Sequence, residues 1–178
     1  MDGKKGQYFS FDAVVATMIL VVAFTSLVGY WFGAQSVIEE RSNSLYVDTL
    51  RVADSLMSPG VPSNWTGIPT PNLLDNIRQP GLTTGFSNEL DLQKLLKLDS
   101  LVNSGMPGSA FDANYAKLKK LLRTSGECYI VIERTDAAAA PYTFGRFPAA
   151  NASGVAIAHR GATLSGHPMR MRVFLWRE

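Results

Sequence analysis

The longest apolar stretch of the chain lies near its N-terminus, between Asp12 and Glu39, and no charged residue interrupts it. At a rise of about 1.5 Å per residue, residues 13–38 would make a helix of about 39 Å. The hydrocarbon core of a bilayer, about 30 Å thick, needs only about 20 apolar residues. The pattern therefore predicts a membrane-spanning helix, with 13–38 as a stem that lies in a membrane or against other copies of itself.

Aromatic residues flank this run on both sides: Tyr8, Phe9, Phe11, Tyr30, Trp31 and Phe32. Such rings prefer the two membrane interfaces, and the basic residues Lys4 and Lys5 are expected to stay cytoplasmic. These features predict a single-pass cell-membrane protein with a cytoplasmic N-terminus and an extracellular head. The alternative is a removable secretory signal. Its apolar core is usually about 7–15 residues long, and Phe32 stands where its cleavage site needs a small residue.

The helical pattern continues beyond the stem, with a different composition. Four apolar residues recur there at helical spacing, with charged residues between them: Tyr46, Leu50, Ala53 and Met57. This spacing predicts an apolar stripe on one face of a helix. Ser58-Pro59-Gly60 then ends it. We therefore predict one helix over 7–57, membrane-spanning in its lower half and amphipathic in its upper half, which packs against a head.

Residues 58–178 predict a small α+β head that begins with irregular, proline-rich chain at 58–72. A short helical turn follows at 73–79, and an amphipathic helix follows at about 88–103. A second helix has Asp112 as its predicted N-cap and four residues as its predicted buried side: Tyr115, Leu118, Leu121 and Leu122. Its basic residues are interpreted as a solvated face, or alternatively as contacts to anionic headgroups: Lys117, Lys119, Lys120 and Arg123.

Strand patterns begin at Cys128. Residues 128–134 are β-branched and aromatic, which predicts a central strand with Cys128 buried. Residues 135–153 predict a long loop, and 155–164 and 169–176 predict a hairpin. In the last strand four apolar residues alternate with Arg170, Arg172, Phe174 and Trp176 and predict a single buried face: Met169, Met171, Val173 and Leu175. The expected sheet has about three antiparallel strands.

Composition limits the chemistry that the head could perform. The net charge of +2 implies no polyanionic partner, so no direct nucleic-acid binding is predicted. The single cysteine cannot form an internal disulfide. His159 and His167 have no cluster of ligands around them, and no phosphate-binding loop or nucleophile motif is present. The sequence therefore predicts no cofactor, no metal and no catalytic site, which indicates a protein that is not an enzyme.

One N-terminal motif resembles a known family. The elements are Lys5-Gly6-Gln7, then Ser10, Asp12 and the apolar run from Ala13. Together they resemble archaeal type IV pilin-like proteins with class III signal peptides, and residues 55–65 are similar to the junction between helix and head in such proteins. Pilins usually carry the acid at mature position five, whereas cleavage after Gly6 would put Asp12 at position six.

The resemblance implies a basic leader, residues 1–6, that a membrane prepilin peptidase removes between Gly6 and Gln7. The new amine of Gln7 could then pair with Asp12 of a neighbouring subunit. That pairing would recover part of the cost of a carboxylate near hydrocarbon, which is about 2.5–3.5 kcal/mol at a helix centre. The alternative is that Asp12 is solvated at headgroup depth.

Two further motifs bear on assembly and modification. Gly29 and Gly33 lie four residues apart on one helix face, which allows close helix–helix approach in an apolar medium. Asn64 and Asn151 each begin an N-glycosylation sequon.

The leading hypothesis is a structural subunit, a pilin or a minor pseudopilin, of an archaeal type IV pilus-like surface filament. Its expected partners are the membrane, other pilin subunits, the prepilin peptidase and a pilus assembly platform. The head lacks a monotonous Ser/Thr/Gly-rich surface, which favours a minor subunit. The alternative is an uncleaved single-pass protein whose extracytoplasmic head binds a ligand or another protein. A membrane-tethered enzyme is a third hypothesis.

Overall fold

A computed structural model describes residues 5–69, 73–85, 88–103, 105, 108–150 and 152–177, with the backbone alone described for 5–10, 38–42 and 153. The chain forms two compact units, residues 1–41 and 42–178. The first helix, α1, is Lys5–Leu56 and contributes to both units. The predicted leader, 1–6, therefore lies partly outside the described residues and partly in the first turn of α1.

The first unit contains the apolar part of α1. Its segment Phe11–Val37 has a mean hydropathy of 2.2 and is exposed along its length. It is long and apolar enough to cross a membrane, which confirms the predicted N-terminal apolar helix at the level of length and composition.

The upper part of α1 belongs to the second unit, where its buried stripe overlaps the predicted one in part. The buried positions are Leu45, Thr49, Val52, Ala53 and Leu56. Of the predicted residues, Ala53 is buried, Leu50 and Met57 are half-buried against the core, and Tyr46 is 48% exposed. The centre of the stripe is thus shifted by about one residue toward the N-terminus. Thr49 is tolerated in the stripe because its hydroxyl donates to the Leu45 carbonyl oxygen at 2.7 Å.

Three further α-helices belong to the head: α2 (Leu73–Asn76), α3 (Leu92–Val102) and α4 (Ser109–Leu122). A carboxylate oxygen of Asp91 caps α3 by accepting the backbone N–H groups of Gln93 and Lys94. The predicted cap of α4 was wrong. Gly108 holds that position, and Asp112 lies in the first turn, where it pairs with Arg146 at 3.0 Å.

The described residues form one antiparallel sheet of four strands in the order β2-β1-β4-β3. Strands β1 and β2 are Glu127–Arg134 and Tyr142–Gly145, and the hairpin strands β3 and β4 are Ser153–Leu164 and His167–Arg177. The expected number of three omitted β2, which lies in the predicted loop at 135–153. That strand has only four residues, too few to show a period, and Phe144 is buried opposite Ile130.

The core lies between one face of the sheet and the helices. The four alternating residues of β4 are all buried, as predicted, and they belong to the same apolar cluster as Val52 and Leu56 of α1. Trp176 was predicted on the opposite, unburied face. It does lie on the opposite face, across from Glu127, but it is only 1% exposed and lies outside that cluster.

The junction after α1 is irregular apart from one 3₁₀ turn, Trp65–Gly67. Trp65 is fully buried, and its indole N–H donates to the carbonyl oxygen of Gly81 at 2.9 Å. A Cβ atom at residue 81 would overlap the backbone of Ser58 and Gly60, so only glycine fits here. Residues 58–60 and 81 are thereby held together beside the end of α1.

Candidate functional site

The candidate assembly surface is the exposed apolar part of α1, Phe11–Val37. Apart from Val28, which is half-buried, its large apolar side chains are between 38% and 79% exposed. Its Ser and Thr hydroxyls donate to carbonyl oxygens one turn earlier: Thr17 to Ala13, Thr25 to Val21 and Val22, Ser26 to Val22, and Ser36 to Gly33. In hydrocarbon an unpaired donor costs free energy, so these bonds make the polar residues compatible with a membrane.

The predicted assembly residues are distributed along this surface. Asp12 is exposed near its N-terminal end. Gly29 and Gly33 lie on one face, with no atom within 4 Å of where a Cβ would be. That face is therefore open to the close approach of a second helix. The predicted cleavage position, Gly6 and Gln7, lies within α1, and nothing further is described there.

One of the two sequons can be placed. Asn64 is exposed at the N-cap position of the 3₁₀ turn, and its side chain makes no capping hydrogen bond. The middle residue of this sequon, Trp65, is buried in the core. Asn151 lies outside the described residues.

A largely buried polar cluster of the head joins α4 to β1 through the hydroxyl of Tyr115. This hydroxyl accepts the Cys128 backbone N–H at 2.8 Å and lies 2.8 Å from Oε2 of Glu127, to which it donates. The other carboxylate oxygen of Glu127 pairs with the Lys119 ammonium. Arg146 stacks over the Tyr115 ring at 5.6 Å.

This environment moves three pKa values. Burial raises the pKa of the Cys128 thiol to about 12 and also raises the pKa of Tyr115. Burial alone would raise the pKa of Glu127, but hydrogen bonds from Lys119 and Tyr115 outweigh it, so that pKa is lowered. The cluster thus contains a neutral thiol, a neutral phenol and a paired carboxylate, which is the state of a structural network.

Two lysines of α3 tie the junction to the head. Lys94 is 3% exposed, and its ammonium donates to the carbonyl oxygens of Pro59 and Thr83, both at 2.8 Å. Burial lowers its pKa. The Lys97 ammonium donates to the carbonyl oxygens of Thr66 and Ile68. Both charges therefore stabilise loop backbone.

Two further acids, one in β1 and one just after it, are also paired. Glu133 accepts hydrogen bonds from Arg170 and Arg172, which lower its pKa. The Arg134 guanidinium binds both oxygens of Asp136 at 3.0 Å and lowers the pKa of that carboxyl to about 2. Within the described part of the chain, no group of three or more His, Cys, Asp or Glu side chains could hold a metal ion.

The interpretation of the α4 basic residues as one solvated face was too simple. Lys117 pairs with Asp75 at 2.6 Å, and Lys119 pairs with Glu127. Arg123 lines a separate cleft together with Arg51 and Arg78. Sequence reasoning missed this cleft because its three arginines come from distant segments and form no linear motif.

Comparison of the chain with models of protein families, with characterised proteins and with solved structures found no match.

Proposed function

We propose that this chain is a structural subunit, a pilin or a minor pseudopilin, of an archaeal type IV pilus-like surface filament. Residues 1–6 would act as a leader that a prepilin peptidase removes before Gln7. The remaining α1 would then pass from the membrane into the filament through a pilus assembly platform, with the N-terminus cytoplasmic and the head outside the cell.

The observation that carries this proposal is the extent of α1. The helix contains both the exposed apolar segment Phe11–Val37 and the residues from Leu45 to Leu56 that enter the core of the head. A plain membrane anchor has no need for a helix that continues into the fold it carries. A filament subunit does, because the head must be joined firmly to the helix that packs against its neighbours.

The chemistry of the head supports a structural rather than a catalytic role. Its main polar clusters are centred on Tyr115, Lys94 and Glu133, and each is closed by internal hydrogen bonds or ion pairs. A catalytic site would need titratable groups that converge on space for a substrate.

N-terminal sequencing and intact-mass measurement of the chain from native membranes test leader removal. The proposal expects a chain that starts at Gln7. A chain that starts at Met1 or Asp2 would overturn the pilin proposal and favour the single-pass protein with a binding head.

A second experiment tests whether the helix face with Gly29 and Gly33 packs against other subunits. Gly29→Ile and Gly33→Ile should greatly reduce filament formation in cells, because each adds a branched side chain where helices approach closely. Ala13→Ile is the matched control, since it adds similar bulk on the opposite helix face. All three variants should reach the membrane. Normal filaments from both glycine variants would contradict the proposed interface.

Imaging of cells that carry a tagged copy distinguishes the two kinds of subunit. Label along filaments would identify a major pilin, and label confined to a tip or a pole would identify a minor one. Label spread uniformly over the membrane, without filaments, would contradict a role as either a major or a minor pilin.

A further inference from the structure

The head contains an unusually basic cleft of about 390 Å³ beside α1 and the end of α4. Its walls include three arginines, Arg51, Arg78 and Arg123, and one acid, Asp54. The Asp54 carboxylate is already bound by Arg160 at 2.7 Å. The positive charge of the cleft is therefore only weakly balanced from within.

One of the arginines is held in place by the fold. The Arg51 guanidinium donates to the carbonyl oxygens of Leu122 and Arg123, at 3.2 and 2.6 Å, and contacts Asp48 at 3.3 Å. These carbonyl groups belong to the last turn of α4 and the residue that caps it. Arg51 is thus positioned before any ligand binds, which reduces the entropy that binding would cost.

The other two arginines have no such partners. The side chains of Arg78 and Arg123 are exposed and make no hydrogen bond or ion pair among the residues that the structure describes. Both nevertheless line the same cleft as Arg51. Two free guanidinium groups, each a planar fork of donors, therefore face one space.

Arg123 also has an unusual backbone. It caps α4 with φ 53° and ψ 40°, the left-handed conformation that glycine adopts most easily. An arginine here is less favourable for the backbone than a glycine would be. Strained residues of this kind cluster at functional sites, so the backbone of Arg123 is consistent with a functional role for its side chain.

We propose that this cleft binds a phosphate group. Three guanidinium groups supply more donors than the two oxygens of a carboxylate can accept, and they match the three free oxygens of a phosphate monoester. The group could belong to a soluble phosphate ester or to a lipid headgroup, which present the same chemistry. The inference is independent of the pilin proposal, because it concerns only the second unit.

Isothermal titration of the full chain in nanodiscs of zwitterionic lipid, with glycerol 3-phosphate as the probe, tests the site. We expect saturable binding to one site that weakens as the salt concentration rises. Arg78→Gln should weaken binding about tenfold or more. Lys120→Gln is the matched control, because it removes one exposed positive charge from α4 outside this cleft and should leave the affinity unchanged.

Arg123→Gly separates loss of the ligand contact from loss of folding. Glycine suits the left-handed backbone, so this variant should fold at least as well as the wild type while it binds the probe about tenfold or more weakly. Unchanged affinity in both Arg78→Gln and Arg123→Gly would overturn the proposal. Citrate that binds as tightly as the phosphate probe would overturn the choice of phosphate.

The source of the phosphate is resolved by a second set of nanodiscs that contain phosphatidic acid. Competition between this lipid and the soluble probe would show that a headgroup reaches the cleft. Unchanged probe binding would support a soluble phosphate ester. Absence of probe binding in zwitterionic nanodiscs, together with no effect of phosphatidic acid on the head's stability, would refute a phosphate site of either kind.

Discussion

Removal of the Tyr115 hydroxyl is a sharp test of how the head is held together. Tyr115→Phe deletes one oxygen and keeps the ring, which stacks on Phe111 with centroids 5.6 Å apart. Tyr115 is 3% exposed, so water cannot readily replace the hydroxyl. The effect on stability should therefore come from the groups that the hydroxyl binds.

The groups that bind the hydroxyl differ in the hydrogen-bond partners that they keep once it is removed. The hydroxyl also lies 3.2 Å from the Cys128 carbonyl oxygen. After its removal the Glu127 carboxylate still has the Lys119 ammonium as a partner, and the Cys128 carbonyl oxygen still accepts the backbone N–H of Arg146 at 3.0 Å. The Cys128 backbone N–H loses the hydroxyl it donates to, and it is buried. One buried donor without a partner costs about 1–3 kcal/mol, which is the expected loss in the free energy of unfolding.

Urea unfolding of the full chain in mild detergent measures this change. Trp65 and Trp176 are almost completely buried, so their fluorescence reports unfolding of the head, whereas Trp31 is 68% exposed on the stem. The midpoint should fall while the slope of the transition stays constant, because the surface exposed on unfolding is nearly the same.

Tyr129→Phe is the matched control. Tyr129 is the next residue of β1 after Cys128, points to the other face of the sheet, and contacts Phe147 and Phe174 through its ring. Loss of its hydroxyl should change stability by less than about 0.5 kcal/mol. Equal stability of the Tyr115→Phe variant and the wild type would refute the network as described.

Three further predictions concern the head. Gly81→Ala should destabilise it by at least about 2 kcal/mol in the same urea assay, because the new Cβ meets backbone, whereas Gly67→Ala, with open space, should cost less than about 1 kcal/mol. Cys128 should react with iodoacetamide at pH 8 about a thousandfold more slowly in the folded head than in urea, since its pKa is raised to about 12, and rapid labelling of folded protein would contradict its burial. The pKa of Glu127 is lowered below its unfolded value of about 4.3, so its contribution to stability should be complete above about pH 5 and decline as the pH falls further. Urea titrations between pH 6 and 3 should then show a shallower acid limb for Glu127→Gln, and parallel limbs would argue against the pairing.

The sequence alone predicted the features that depend on local pattern. The apolar run from Ala13 and the alternation in β4 are each several periods long, so the type of secondary structure could be predicted from them. The order of elements followed, as did burial of Cys128 and an α+β head. Short or irregular features were missed, because four residues such as Tyr142–Gly145 show no period.

The second limit on prediction from sequence is the phase of a periodic stripe, that is, which of its residues face the core. Residues 45, 49, 52 and 56 have the same spacing as the predicted stripe that begins at Tyr46, and only the head determines which of the two is buried. Trp176 shows the same limit, since alternation assigns it to the far face of the sheet but cannot tell whether that face is covered there.

Local pattern along the chain is enough to specify a membrane-compatible helix that continues, amphipathic, into a small α+β head, because hydrophobic period and helix-ending residues act over short distances. Which polar residues meet is set by the tertiary structure. It joined Tyr115 to Cys128, and it placed Arg51, Arg78 and Arg123 around one cleft. Those contacts depend on how distant segments fold together in three dimensions, and no spacing within the linear sequence encodes that proximity.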